Sequence, residues 1–302
     1  MIRIELSIEL NYQVDAMGAD FIFNVHPART PWQTVSHENL QVSQPVPLGD
    51  YTDPGSGNRY LRLRADPGNL TVSYQATVDM AHFFAEPDQI AEVPVQHLPP
   101  EVMVYLYPSR YCQSDRLIKL AIKEFGQIPQ GYARVQAIRD WVGNRVTFAS
   151  NTTNSNTSAV DTLIEEVGVC RDFAHLMIAL CRALSIPARF ATGTDYGAPA
   201  VLGPPDFHAY VEVYLQGGWY IFDPSGTVVP MGLIRFGTGR DAADVAFATI
   251  FGGVISQAPL IQNMALEDAS NGILLPYPCS QALSTDCAVL PHAGNRSALA
   301  IA

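Results

Sequence analysis

Charge is scarce in this sequence, and basic charge is scarcest. Of 302 residues 16% are charged, 18 basic against 29 acidic, for a net charge of −11. Globular chains usually carry ~25%, so a charge-rich disordered or coiled-coil protein is excluded. The shortage of Lys and Arg argues against partners that present phosphate, whether nucleic acid or anionic lipid. Long apolar runs are missing too. The best candidate, residues 245–255, is shorter than the ~18 residues of a membrane span and is broken by Thr249, Gly252 and Gly253. The five cysteines (Cys112, Cys170, Cys181, Cys279, Cys287) form no paired framework, and MIRIELSIELNY at the start alternates instead of forming an apolar signal core. The expectation is a cytoplasmic protein with free thiols, no nucleic-acid partner and no membrane association.

What the chain does have is apolar residues, 48% of the total, enough for two domains with substantial cores. Ile2, Ile4, Leu6, Ile8 and Leu10 alternate with polar residues, the pattern of a strand with one buried face. Residues 59–64 and 70–78 flank the turn Ala65-Asp66-Pro67-Gly68-Asn69, a hairpin signal. The first ~100 residues therefore predict an antiparallel sandwich. A proline-rich linker follows over residues 92–108, and then the hydrophobic period changes. Helices are expected from Ser114 or Asp115 to Phe125, stopped by Gly126, and from Tyr132 to Val146, with Trp141 among the core positions. A polar loop, residues 150–158, precedes a third helix, and strand signals return over residues 188–223. A further helix is expected from Ala242 to Ile250, and beyond about Leu266 the chain reads as an irregular, peripheral tail.

The chemically informative stretch is GVCRDFAHLMIALCRALSIPAR, residues 168–189. At 100° per residue, Arg171, Asp172, His175 and Arg182 form one narrow polar stripe and the rest is apolar. Cys170 falls in the first turn, on the broad apolar side. Unpaired N–H groups and the positive end of the helix dipole favour a thiolate there. By position alone Cys170 is equally a small core hydrophobe, and Cys181, too far along the axis for a disulfide, reads as core.

A thiolate nucleophile needs a base, and the base needs an orienting group. His175 points away from Cys170, towards the polar stripe or a packing role. His208 is the better candidate, since it opens the strand FHAYVEVYL, whose partner WYIF ends at Asp223. A three-residue loop would pair Leu215 with Trp219 and leave Asp223 opposite Val211, so about three residues of offset have to be closed by twist or a bulge. Taken singly, His208 reads as an ordinary strand-end residue and Asp223 as an ordinary turn residue. A zinc site built from Cys170, His208, Asp223 and His175 lacks any short-spaced ligand pair, and no EF-hand loop is present. No cofactor or metal is expected.

Taken together, GVCRDFAHL, RALSIPAR and HAYVEVYLQGGWYIFDPSG resemble the transglutaminase-like superfamily, whose fold is that of papain-like thiol enzymes. The order Cys, His, Asp matches. Gly57-Asn58-Arg59-Tyr60 resembles the β-rich leader of bacterial members, and residues 108–112 (PSRYC) and 239–244 (GRDAAD) resemble stretches of one bacterial subgroup. The resemblance covers about residues 1–255. It implies an α+β molecule: an N-terminal antiparallel β-sandwich (1–100), a papain-like core of helices packed on an antiparallel sheet (101–265), and a tail (266–302). It further implies Cys170 as nucleophile, His208 as base and acid, and Asp223 as orienter. A peptide or protein amide would be attacked, with the thioester passing to water (cysteine protease or amidase) or to an amine (cross-linking acyltransferase). A non-catalytic binding scaffold on the same fold is the remaining alternative.

Overall fold

The computed structural model describes residues 1–287 apart from residue 195, and its architecture is α+β. The N-terminal part folds into strands β1 (Ile2–Val14), β2 (Ala19–Phe23), β3 (Gln33–Val42), β4 (Gly49–Thr52), β5 (Arg59–Ala65), β6 (Gly68–Met80) and β7 (Phe83–Ala85). The alternation read in the sequence is the burial pattern of β1: its even-numbered residues, Ile2 to Val14, are buried, and its odd-numbered ones are more accessible. β1 pairs along its whole length with β6, which pairs β3, while β4, β5 and β2 form the facing sheet.

Four helices follow: α1 (Ser114–Phe125), α2 (Tyr132–Arg145), α3 (Ala159–Glu165) and α4 (Cys170–Ala183), with the short strands β8 (Thr147–Phe148) and β9 (Val167–Gly168) between them. Leu117, Ala121 and Phe125 give α1 a single buried stripe at helical spacing, and Gly126 stops it as the sequence predicts. Trp141 packs edge-on against Phe125 as part of the helical core. α4 differs: every residue from Asp172 to Arg182 is buried. It is the central rod, packed on α1, α2 and α3 and on the sheet that follows.

That sheet contains β10 (Ala188–Thr194), β11 (Phe207–Leu215), β12 (Gly218–Phe222) and β13 (Ile234–Gly239). It is buried on both faces. Ala209, Val211, Val213 and Leu215 join the helical core, while Tyr210, Ile221, Ile234 and Phe236 join the core of the N-terminal sandwich. Fully burying one such side chain is worth about 1.5–3 kcal/mol, and the sheet is a wall common to both cores. On the sandwich side lie Arg189, Glu212 and Arg235. Glu212, inaccessible to solvent, accepts from Arg189 at 2.6 Å and faces Arg235 at 3.4 Å, and Asp286 completes the cluster at 2.5 and 2.9 Å. Burial raises the Asp286 carboxyl, but Arg235 and Arg189 outweigh it and hold it at about 2.

Three expectations meet a different outcome. Residues 242–250 form no helix; they turn and enter β14 (Ala248–Phe251), which extends the β2 edge. β15 (Val254–Ser256) and β16 (Leu260–Leu266) both pair β1, so strand pairing returns residues 248–266 to the sandwich and does not respect a boundary at 265. The reason is the edge of β1, whose N–H and C=O groups on that side are satisfied only by this returning chain. The described part of the expected tail is also tied in, through β17 (Ala282–Ser284) on β7 and β18 (Asp286–Cys287) on β12; residues 288–302 lie outside the described residues. Among the described residues no helix is long and apolar enough to cross a membrane.

Replacing Glu212 by Ala leaves the Arg189 and Arg235 guanidinium groups buried with only Asp286 opposite them. The expected loss is about 3–5 kcal/mol, the usual cost of breaking a buried pair from one side, read as a lower denaturant midpoint. An unchanged midpoint would show that the cluster is solvated.

Candidate active site

Cys170 is the first residue of α4. Val169 before it is extended (φ −110°, ψ 174°), so the chain turns sharply into the helix at the cysteine. The turn is held by Asp172, whose carboxylate is fully buried. It accepts the Val169 N–H at 2.9 Å, the Thr153 hydroxyl at 2.7 Å and the Arg171 guanidinium at 3.0 Å. Gly168 makes room for it, since a Cβ there would lie 2.8 Å from the Asp172 Cβ. Thr153 belongs to the polar loop, so one carboxylate ties that loop to the turn that presents the thiol. Cys170 itself is half-buried and lines a cleft.

His208 and Asp223 are brought together by the β11–β12 hairpin. The connection is a two-residue turn, Gln216-Gly217, with φ of +46° and +86°, and Leu215 pairs Gly218. The three-residue loop expected from the sequence is therefore corrected by one position. Val211 pairs Phe222, and continuing this register sets Asp223 against Tyr210, two residues from His208. Diagonal neighbours of this kind remain within reach of long side chains. The observed contact is His208 Nε2 to Asp223 Oδ1 at 3.4 Å, with both side chains almost wholly buried.

Asp223 serves the turn and the histidine with the same oxygen. Its Oδ1 also accepts the Ser225 N–H at 3.0 Å and the Ser225 hydroxyl at 2.7 Å, which fixes the carboxylate in the Asp-Pro-Ser-Gly turn. Burial raises the Asp223 carboxyl, but the His208 charge and the hydrogen bonds from His208 and Ser225 prevail and lower it. Burial likewise opposes the His208 charge, yet Asp223, and after it the sulfur of Cys170, outweigh burial and carry the imidazole up to about 10. The ring lies 3.4 Å from the carboxylate and interacts electrostatically with the sulfur, so three groups that the sequence separates by 53 positions are brought together. They are a thiol, an imidazole and a carboxylate, the set of groups that thiol chemistry would need.

The cleft beside this unit encloses about 670 Å³. One wall is the start of α4 with Phe148 and Tyr111; another is Phe190 and Phe207 of the sheet; a third comes from Ala242 to Phe247. Of the polar stripe read on α4, Asp172, His175 and Arg182 are buried and Arg171 is half-buried. His175 takes the packing role: its ring stacks on Tyr111 (4.9 Å, 11°) and lies 5.0 Å from Phe190. Burial first, and then the nearby Arg171 and Arg182, depress its pKa well below the usual value. It is therefore neutral, and Nε2 accepts the Ala242 N–H at 3.2 Å.

Sequence reasoning missed Arg182 as an organiser. Its guanidinium donates to the carbonyls of Ala188 (2.8 Å), Tyr107 (3.1 Å) and Arg240 (2.5 Å) and to the Ser109 hydroxyl. Asp241 then accepts the Tyr111 N–H at 2.9 Å. The two short stretches around residues 108–112 and 239–244, noticed only through resemblance, are thus bound to one another across α4. The available signal was an arginine on an otherwise apolar helix. Among the described residues no group of three or more His, Cys, Asp or Glu side chains could hold a metal.

Comparison with known proteins identifies the family. Residues 120–224 match the core model of the transglutaminase-like superfamily, and residues 2–101 match the N-terminal domain of bacterial transglutaminase. A solved structure from Cytophaga hutchinsonii, described as a candidate cysteine protease, is 43% identical and superposes with a TM-score of 0.86 over 94% of this chain and 97% of that one. This chain belongs to the transglutaminase-like superfamily. An uncharacterized protein of Mycobacterium leprae is 28% identical over 61% of this chain and 68% of its own length. YebA of Bacillus subtilis, also uncharacterized, is 28% identical over 52% of this chain, which spans only 23% of YebA.

The raised imidazole gives a pH prediction. The folded value of about 10 lies above the ordinary 6.5, so the imidazolium's stabilising contribution is complete below 6.5 and is lost as pH rises through about 10. Asp223→Asn removes the larger raising charge and Cys170→Ala the smaller. Both should lower the His208 midpoint in an NMR titration of its ring protons, the asparagine variant further. Midpoints unmoved in both variants would overturn the ion-pair account.

Proposed function

We propose that this superfamily member is a cysteine peptidase or amidase acting through Cys170, His208 and Asp223. The observation that carries the reading is the buried imidazole in contact with both the sulfur and the carboxylate, at the edge of a cleft of about 670 Å³. The 43% identical relative described as a candidate cysteine protease supports hydrolysis.

The Cys170 thiolate adds to an amide carbonyl carbon, forming a C–S bond and pushing the electron pair onto oxygen. The developing oxyanion is adjacent to the N–H of Cys170, which by its place at the first helical position has no intrahelical acceptor. As the tetrahedral adduct collapses, the C–N bond breaks, and the departing nitrogen takes the proton from the His208 imidazolium. The neutral imidazole then removes a proton from water as that water attacks the thioester. Acid is released and the thiolate–imidazolium pair returns. Asp223 keeps the ring oriented and offsets its charge in both half-reactions, without itself being protonated.

Incubation of the protein with casein and a fluorescent primary amine tests this. New peptide N-termini without incorporated amine are expected, with cleavage falling by about 10⁴-fold or more in Cys170→Ala. Incorporated amine would reassign the protein as an acyltransferase. Full turnover in Cys170→Ala would leave only a fold without thiol chemistry.

A further inference from the structure

We infer that the cleft beside Cys170 selects a substrate with a bulky apolar side chain, aromatic or branched aliphatic, next to the scissile carbonyl. The inference rests on the thiol chemistry proposed above and adds the identity of what that chemistry acts on.

Much of the cleft wall is aromatic and aliphatic: Phe148, Phe190, Phe207, Val245, Phe247 and Pro259 all line the same space as Cys170 and His208. Two of them form a built platform. Phe207 and Phe247 stack face to face with centroids 4.2 Å apart and planes 10° from parallel, and Phe236 supports Phe207 edge-on at 6.0 Å. Phe207 is the residue immediately before His208, so the platform is placed by the same strand that places the base. Phe207 and Phe247 are only half-buried, and their open side faces the cleft.

Charge in the cleft is sparse and already employed. Arg171 is turned back to Asp172 and Thr153, at 3.0 Å from each. Asp206 adds one negative group beside the platform. Nothing here balances an anionic side chain, and the exposed lining is mainly apolar. An apolar side chain gains from the same surface, since each buried methylene contributes binding and the stacked rings offer an offset-stacking partner. The platform is also rigid. The Phe247 carbonyl accepts the Asn24 N–H at 2.9 Å, and Asn58 binds both the carbonyl and the N–H of Thr238. The sandwich therefore supports the wall that reads the substrate, and a preformed apolar site binds without the cost of ordering it.

Three peptidyl chloromethyl ketones with one warhead, differing only in the adjacent side chain (Phe, Gly or Asp), test the inference through their alkylation rates at Cys170. The Phe reagent should react about 10-fold or more faster than the Gly reagent, and the Asp reagent slower than Gly. In Phe247→Ala the Phe:Gly rate ratio should fall towards unity, and in Phe247→Leu it should fall less. A ratio is unaffected by the fraction of a variant that folds. Equal rates for Phe and Gly in the native protein, or a faster Asp reagent, would overturn the inference. Failure of all three to react faster than a free model thiol would instead overturn the proposed chemistry.

Discussion

The site depends on placing one charged ring where charge is expensive. His208 is almost fully buried, and burial alone would strip its proton. Asp223 and the sulfur of Cys170 reverse that outcome, and each can do so only at contact distance, because a charge partner in a low-dielectric interior loses its effect when water intervenes. Everything nearby serves that proximity. Ser225 pins the carboxylate, Asp172 pins the turn that presents the sulfur, and the sheet fixes the ring between them.

Much of the fold was legible because its signals are local. The alternation in β1, the period in α1 and its glycine stop each depend on neighbours within a few residues. The elements that carry Cys170, His208 and Asp223 were legible as well, since each residue sits at the end of an element with a clear pattern. The hairpin register was misjudged by one position because Gln216 adopts φ of +46°, a conformation that sequence assigns more readily to glycine or asparagine. That single residue shortens the loop and brings Asp223 one step closer to His208.

What sequence could not convey was set by distant partners. Residues 242–250 carry enough Ala to suggest a helix, but the open edge of β2 offers a ladder of backbone hydrogen bonds, and that tertiary demand prevails over propensity. The return of β15 and β16 to β1 follows the same logic. Polar residues on α4 formed a stripe in the sequence, but a one-dimensional pattern cannot distinguish polarity facing water from polarity satisfied inside. Here Arg182 binds carbonyls, His175 binds an N–H, and Asp172 binds donors from three residues.

Those buried polar contacts explain why the two domains behave as one structural unit around the cleft. The sheet of β10 to β13 has no free face: helices cover one side and the sandwich the other. A sheet buried on both faces cannot discharge its arginines into water, and so Arg189 and Arg235 are neutralised in place by Glu212 and by Asp286 from the far end of the described chain. Segments remote in sequence, near residues 58 and 286, are fixed to this sheet by individual hydrogen bonds, and beside it residue 24 is bonded to Phe247 and Tyr111 to Asp241. Shifting any one strand of the sheet would disturb both faces at once. The geometry linking sulfur, imidazole and carboxylate is therefore a property of the whole two-domain assembly and not of three residues.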